Sequence, residues 1–312
     1  ERSRGLGDVY KRQGSAISNW GSASSWSPAQ VPTLGDYCVF NSLSPTCSLS
    51  TGTSTASQIN FTGYNKQFRF SSNTLLVYGS ITFSNQMSFT FSNAASPYAG
   101  YNLVIMTSST ITSNSCTISV PTLFYNNGVS NTYTIADNIV VSENFATGAN
   151  SGGLTHSING ATISLYKSFG INSAGSNSST TLTTGSANIV MNGTGTITSV
   201  NTQGLGNNFT INSTAVITIS GALYYKTGTF SIIGTPTISS SQYVNITGAC
   251  SFIAASSSST YIIPLGISTA VPNTVTLQSN IHSSFGINSA TLTMNGFNYY
   301  IYGNSLASAG SN

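Results

Sequence analysis

Short runs of alternating hydrophobic residues cover the chain, and small polar residues separate these runs. One nine-residue stretch shows the pattern most clearly, because its type occurs three times, at 71–79, 159–167 and 295–303. Each copy begins with small polar residues, continues with alternating apolar residues and includes a tyrosine near its end. Hydrophobicity with a period of two after a polar turn predicts a β-strand.

Many similar runs occupy the rest of the chain, and turn residues separate them roughly every seven to ten positions. The clearest lie at 68–70, 81–83, 89–91, 103–105, 110–112, 117–120 and 133–135. Glycine, serine, threonine and asparagine are frequent and good helix formers are scarce, so no segment predicts a helix. The pattern therefore indicates an all-β protein.

Internal repeats indicate how these strands are arranged. Residues 193–199 resemble 234–240, 41 positions further on, and 110–113 resemble 196–199 at an offset of 86. The six residues 169–174 recur without change at 285–290, an offset of 116. Multiples of a unit of roughly 20 to 23 residues fit all these offsets, and a unit of that length holds three short strands with three turns.

We therefore expect a right-handed parallel β-helix, a β-solenoid in which each coil stacks on the previous one at about 4.8 Å. About 22 residues per coil gives roughly 13 coils and a rod about 65 Å long. The alternative is a series of tandem antiparallel β-sandwiches. Clear linkers are missing, and Asn-Gly or Asp-Gly pairs do not dominate the turns, which favours the solenoid.

Three segments differ in composition. Residues 1–13 hold six of the thirteen charged residues and resemble a translated adapter remnant, so we expect this segment to be non-native and to pack poorly. Residues 14–48 contain both tryptophans and are expected to form an N-terminal cap. Residues 49–312 are expected to form the solenoid body, which we expect to be truncated at its C-terminus or covered there by another segment or subunit.

The cap carries a motif of its own: Trp20, Trp26, Val31-Pro32, Gly35-Asp36 and Val39-Phe40, followed by 59–64 (INFTGY) and 77–81 (VYGSI). This pattern resembles the start of repetitive β-helical surface proteins, such as autotransporter passenger regions, and of repetitive proteins from marine phages and uncultured bacteria. The resemblance covers the chain from about residue 20 onward. It implies a β-helix that is exposed on a virion or a cell surface.

Charged side chains are rare, at 4% of all residues compared with about 25% in an average protein. Outside residues 1–13 the basic residues are Lys66, Arg69, Lys167 and Lys226, which are too few and too scattered for a nucleic-acid surface. The remaining carboxylates are Asp36, Asp137 and Glu143. A glycoside hydrolase needs two carboxyl groups close together and a calcium-dependent lyase needs several, so this composition disfavours both activities.

Histidine and cysteine give weak signals for chemistry. His156 occupies an alternating strand position, which favours a residue in the wall of the solenoid over a catalytic base, and His282 is the only other histidine. Cys38 and Cys47 could form a disulfide that closes a short loop, or all four cysteines, including Cys116 and Cys250, could be small core residues. No cysteine and histidine spacing indicates a metal or cofactor site.

Tyrosines are the best candidates for contact with a ligand. Tyr224, Tyr225, Tyr299, Tyr300 and Tyr302 lie close together in two groups, and exposed rings could stack on the sugars of a cell-surface glycan. The alternative is that these rings stack between coils inside the protein.

The sequence as a whole favours an extracellular structural or adhesive solenoid on a virion (as a tail fibre or spike) or a cell surface, without catalysis or cofactors. A polysaccharide lyase or glycoside hydrolase and a pure glycan-binding module are the alternatives. No run of about 18 apolar residues predicts a membrane span. Assembly into a homo-oligomer is left open.

Overall fold

A computed structural model describes residues 8–11, 18–49, 52–92, 100–174, 182–199, 204–212, 214–220, 223–239, 243–255, 263, 266–269, 274–284, 287–288 and 291–302. Within these residues the chain forms 36 strands and a single 3₁₀ turn at Ala23–Ser25. The strands stack in parallel, coil upon coil, as a β-solenoid with three faces. The predicted β-helix is confirmed, and the alternative of antiparallel sandwiches is wrong.

Face 1 contains the first strand of each coil. Its strands, each paired in parallel with the next, are β4 Tyr37–Val39, β7 Gln58–Asn60, β10 Ile81–Thr82, β13 Ser109–Thr112, β16 Asn131–Ile135, β19 Thr155–Gly160, the first part of β22 Leu182–Met191, the first part of β24 Leu205–Ile211, β26 Leu223–Tyr225, β29 Tyr243–Ile246, β31 Gly266–Thr269 and β34 Ile287–Asn288.

Face 2 contains the second strand of each coil and consists of two ladders. The lower ladder, nearer the N-terminus, is β2 Ser18–Asn19, β5 Cys47–Ser48, β8 Gln67–Ser71 and β11 Ser88–Phe91. The upper ladder is β14 Thr117–Ile118, β17 Ile139–Val141, β20 Ile163–Leu165, the second parts of β22 and β24, β27 Gly228–Ile232, β30 Cys250–Ala254, β32 Thr274–Leu277 and β35 Thr291–Thr293.

Face 3 closes each coil. Its strands are β6 Thr53–Ala56, β9 Thr74–Val77, β12 Leu103–Ile105, β15 Thr122–Asn126, β18 Phe145–Ala149, β21 Phe169–Ala174, β23 Thr194–Ser199, β25 Val216–Ser220 and β28 Thr237–Ser239, and nearer the C-terminus β33 Ile281–Ser283 with β36 Tyr299–Ile301. The two remaining strands are β1 Asp8–Lys11 and β3 Trp26–Ser27.

Coil length varies more than the sequence repeats predicted. Along face 1, Ile267 pairs with Ile287, which gives a coil of 20 residues. Ile81 pairs with Ile111, which gives a coil of 30 residues. The repeat unit predicted from the sequence therefore describes only the tighter coils.

Apolar side chains stack in columns inside the solenoid. On face 2, register pairing places Ile163, Ile189, Phe209, Phe230, Phe252 and Leu277 above one another, and all six are buried. The rings of Phe230 and Phe252 lie nearly parallel with centroids 5.3 Å apart. Since burial of one such side chain contributes about 1.5 to 3 kcal/mol, these columns hold the coils together.

The N-terminal end of this interior is filled by aromatic rings. Trp20 and Trp26 are both buried, with centroids 5.0 Å apart in an edge-to-face arrangement, and both contact Phe40. The Trp26 indole N–H donates a hydrogen bond to the Trp20 carbonyl at 2.9 Å. Buried rings cannot stack on an external sugar, so these two tryptophans are core residues and not a ligand-binding surface.

The backbone of Asp8–Lys11 joins the same end of the sheet, parallel to β4 and antiparallel to β3. This pairing differs from the poor packing expected for residues 1–13, at least for these four residues. Residues 1–7 and 12–17 lie outside the described part of the chain, as do residues 303–312.

Face 3 is buried on its outer side as well as its inner side over four coils. The outward residues Leu76, Val104, Leu123 and Ala146 form a second apolar cluster together with Met106. The continuous apolar runs at 75–77 and 103–105 are the sequence signal for a strand buried on both faces. Tyr78, Tyr101 and Tyr125 pack against the edge of this cluster.

Replacement of Phe230 by alanine tests the column on face 2. Phe230→Ala should lower the free energy of unfolding by about 3 to 5 kcal/mol, because it leaves a cavity between two rings. Ile233→Ala is the matched control: this side chain is 46% exposed, and its loss should cost less than about 0.5 kcal/mol. Urea unfolding followed by circular dichroism measures both, and equal effects would contradict the stacked core.

Candidate functional site

Each of the three carboxylates outside the N-terminal segment has a structural partner. Asp36 accepts hydrogen bonds from the backbone N–H and the hydroxyl of Thr33 at 2.7 and 2.8 Å, which closes the turn before β4. Glu143 forms an ion pair with Lys167, a residue of the next coil. These contacts connect Asp36 to its own turn and Glu143 to the neighbouring coil.

Asp137 has the most extensive contacts of the three. Its carboxylate accepts hydrogen bonds from the Ser113 backbone N–H at 2.6 Å, the Ser113 hydroxyl at 3.0 Å and the Asn114 backbone N–H at 2.6 Å. Ser113 and Asn114 belong to the turn of the coil below, so this carboxylate links two successive coils.

The three carboxylates lie far apart in the fold. Asp137 and Glu143 lie beyond opposite ends of β17, whose three residues alone span about 10 Å. Asp36 precedes β4, whereas Asp137 follows β16, four coils further along the solenoid. These two carboxylates are therefore about 19 Å apart along the axis. The pair of nearby carboxyl groups that glycoside hydrolysis requires is not formed by these residues.

His156 is a buried wall residue, as the alternating pattern predicted. It lies in β19, in register with Asn131 below and Thr183 above, and its ring stacks with Tyr133 at a centroid distance of 6.1 Å. Burial lowers the pKa of His156 to about 3, because the imidazolium would lose its water; the Gly148 backbone opposes this shift in part. The ring is therefore neutral at physiological pH.

The five candidate tyrosines divide into buried and exposed residues. Tyr225 is buried and its hydroxyl donates a hydrogen bond to the Asn207 carbonyl at 2.8 Å, so its predicted role in ligand contact is wrong. Tyr224 and Tyr299 are half-buried, and Tyr299 packs against the core. Tyr300 and Tyr302 are exposed, at 41% and 48% of their surface.

The two exposed tyrosines form a ring cluster with His282, a half-buried residue of β33. The His282 ring stacks on Tyr300 at a centroid distance of 4.3 Å and on Tyr302 at 5.5 Å. His282 Nδ1 is 2.8 Å from the Tyr302 hydroxyl. The pairing of His282 with Tyr300 in the β33–β36 ladder places the rings on neighbouring coils. The sequence pointed to the tyrosines but not to their histidine partner, because that residue belongs to the preceding coil.

All four cysteines are buried thiols. Cys38 lies on face 1 and Cys47 on face 2, and both fill inward positions of the first coils. The disulfide between them is not formed, and the alternative of small core residues is the correct one. Burial raises the pKa of Cys116 to about 11 and that of Cys250 to about 12, which keeps both thiols unreactive at neutral pH.

A polar groove lies where the turns between faces 1 and 2 stack on one another. This corner groove has a volume of about 580 Å³. Its lining residues come from four successive coils: Thr62, Gly63, Phe83, Ser84, Asn85, Gln86, Asn114, Ser115 and Asp137. This groove was not predicted from the sequence, although the polar turns that follow the apolar pairs of β7, β10 and β13 are visible in the sequence once the strands are aligned.

Within the described residues, no group of three or more histidine, cysteine, aspartate or glutamate side chains is arranged to hold a metal ion. The part of the chain that the structure covers also contains no helix of the length and hydrophobicity needed to span a bilayer.

The pH dependence of stability tests the burial of His156. The pKa of the His156 ring is 6.5 in the unfolded chain and about 3 in the folded protein. The stability that the neutral, buried ring contributes is therefore fully present above pH 6.5 and is lost as the pH drops towards 3. Relative to His156→Gln, the wild-type free energy of unfolding should therefore decrease by up to about 1.4 kcal/mol per pH unit over that range. Chemical unfolding at several pH values measures this, and parallel curves would show that the ring is not buried.

No protein-family model, no curated protein sequence and no solved structure matches this chain.

Proposed function

We propose that the protein is a structural or adhesive β-solenoid, exposed on a virion or a cell surface, that acts through its shape and surface without catalysis. The observation that supports this most directly is the use of its carboxylates: Asp36, Asp137 and Glu143 each tie the backbone or a neighbouring coil together. A parallel β-solenoid gives a long surface from a short repeat, which suits display and adhesion.

The rarity of charge supports the same role. The described outer surface is made largely of hydroxyl and amide side chains, which keep a protein hydrated without ionised groups. Such a surface has little attraction for nucleic acids, since these bind through several lysine or arginine side chains on one face. Extracellular location and assembly into a homo-oligomer remain predictions from the sequence.

Incubation with polysaccharides tests the absence of catalysis. The full chain, incubated with a panel of plant, algal and bacterial polysaccharides, should release no more reducing ends or unsaturated sugars than the heat-denatured protein does. Release of product that is abolished by Asp137→Asn or Glu143→Gln, in variants that still fold, would overturn the proposal and support the alternative of a lyase or hydrolase.

Glycan binding through the ring cluster is a second candidate function. It is favoured by the exposure of Tyr300 and Tyr302 beside His282, because stacked rings on neighbouring coils offer flat faces to the apolar side of a sugar. The two roles are compatible, since an adhesin needs both a rigid rod and a contact surface.

Removal of both exposed rings tests this second candidate. If the cluster binds glycans, Tyr300→Ala with Tyr302→Ala should weaken binding on a glycan array by about tenfold or more, equivalent to about 1.4 kcal/mol. Tyr166→Ala is the matched control, because Tyr166 is 45% exposed and lies in another part of the solenoid. Equal binding by all three proteins would exclude the ring cluster as the contact surface.

A further inference from the structure

The corner groove coincides with the one position in the described residues where the face 2 ladder is interrupted. Strand β11 pairs with β8 below it and β14 pairs with β17 above it, but no pairing joins β11 to β14. Faces 1 and 3 continue through the same level, through β10 with β13 and β12 with β15. The coils thus stay in register on two sides and separate on the third.

Side chains connect the two sides of this break, which are the turn at 83–86 (the lower lip) and the turn at 113–115 (the upper lip). The Asn114 side-chain amide donates a hydrogen bond to the Phe83 carbonyl of the coil below at 2.9 Å. From above, Asp137 holds the same turn through three hydrogen bonds. The upper lip of the groove is therefore fixed by side chains from two coils.

The backbone of this upper lip is strained. Asn114 and Ser115 have φ angles of 48° and 63°, so two consecutive residues other than glycine adopt the left-handed region. Such a conformation is unfavourable for Ser115, whereas asparagine tolerates it better than other residues with a side chain. Backbone strain of this kind clusters at functional sites.

The groups that face the groove define the ligand that fits. Asn85, Gln86 and Ser115 are exposed, and the side chains of Asn85 and Gln86 form no hydrogen bond with the described residues. Amides and hydroxyls both donate and accept hydrogen bonds, which matches a ligand rich in hydroxyl groups. No lysine or arginine lines the groove, and its one carboxylate, Asp137, already accepts three hydrogen bonds. Phe83 is buried, so neither an anion nor an apolar ligand is favoured.

The size of the groove agrees with this chemistry. Its volume of about 580 Å³ lies within the range of about 300 to 1,000 Å³ that is usual for small-ligand sites. Its four turns, at about 4.8 Å per coil, give a length of about 14 Å along the axis. A short chain of sugars fits a groove of this length better than a single sugar does.

We propose that the corner groove binds an uncharged oligosaccharide, with Asn85, Gln86 and Ser115 contacting its hydroxyl groups. The turn at 113–115 presents these contacts because Asp137 holds it in place. This site lies at the lower coils and is separate from the ring cluster of β33 and β36. Oligosaccharide binding in this groove requires neither exposure on a virion or cell surface nor the absence of catalysis.

Isothermal titration of the full chain with defined probes tests the proposal. The neutral probes are hexasaccharides of α-glucose, β-glucose, mannose and N-acetylglucosamine, and the anionic probes are a heparin hexasaccharide and hexagalacturonate. At least one neutral probe should bind when supplied at up to about 10 mM, a range that detects a Kd near 1 mM. The anionic probes should not bind.

Substitution of the contact residues then locates the binding. Asn85→Ala with Gln86→Ala should weaken the binding of that probe by at least about tenfold, equivalent to about 1.4 kcal/mol. Gln278→Ala is the control and should bind as the wild type does, because Gln278 is an exposed amide that follows β32 in a distant coil. Circular dichroism melts of the variants confirm that each one folds.

Three results would overturn the proposal. The first is that no neutral probe binds. The second is stronger binding of an anionic probe. The third is neutral binding that the double variant leaves unchanged; loss of that binding in Tyr300→Ala would assign it to the ring cluster instead.

Discussion

Backbone pairing between successive coils governs the whole of this structure. Each coil must place its strands about 4.8 Å above those of the previous coil on three faces, with inward side chains above inward side chains. A slip of one residue would turn every apolar side chain of that strand to the outside. The column from Ile163 to Leu277 shows that the register is kept over six coils while coil length changes.

The need to pair every coil with the next also explains where polar groups are used. A corner of a coil leaves backbone groups without a ladder partner, and side chains from adjacent coils satisfy them. Asn131 donates to the Met106 carbonyl of the coil below, and Asn207 donates to the carbonyls of Ile158 and Ala187. The carboxylate of Asp137 does this on the outer side. A chain rich in asparagine, serine and threonine therefore stabilises its corners with few charges.

Surface chemistry follows from this use of side chains. Carboxylates outside the N-terminal segment are committed to turns and the thiols are buried, so the described surface consists mainly of hydroxyls and amides, with a few exposed rings and aliphatic side chains. Groups of this kind suit the neutral, hydroxyl-rich ligands proposed above, because they act by hydrogen bonding and stacking. The interruption of face 2 coincides with the corner groove, which distinguishes these turns from those where the face 2 ladder continues.

The alternation of apolar and polar residues was enough to predict the strands, the all-β class and the solenoid, because a period of two and a short repeat leave few other ways to bury the apolar residues. Leu103–Ile105 was predicted with its observed bounds. The sequence could not assign strands to faces: the copy at 71–79 contains β9 of face 3, whereas the copy at 159–167 contains β20 of face 2. Similar local patterns suit any face, and only the pairing of whole coils distinguishes them. That pairing alone buried Tyr225, exposed Tyr300 beside His282 and opened the groove between β11 and β14, since each depends on residues brought together from different coils.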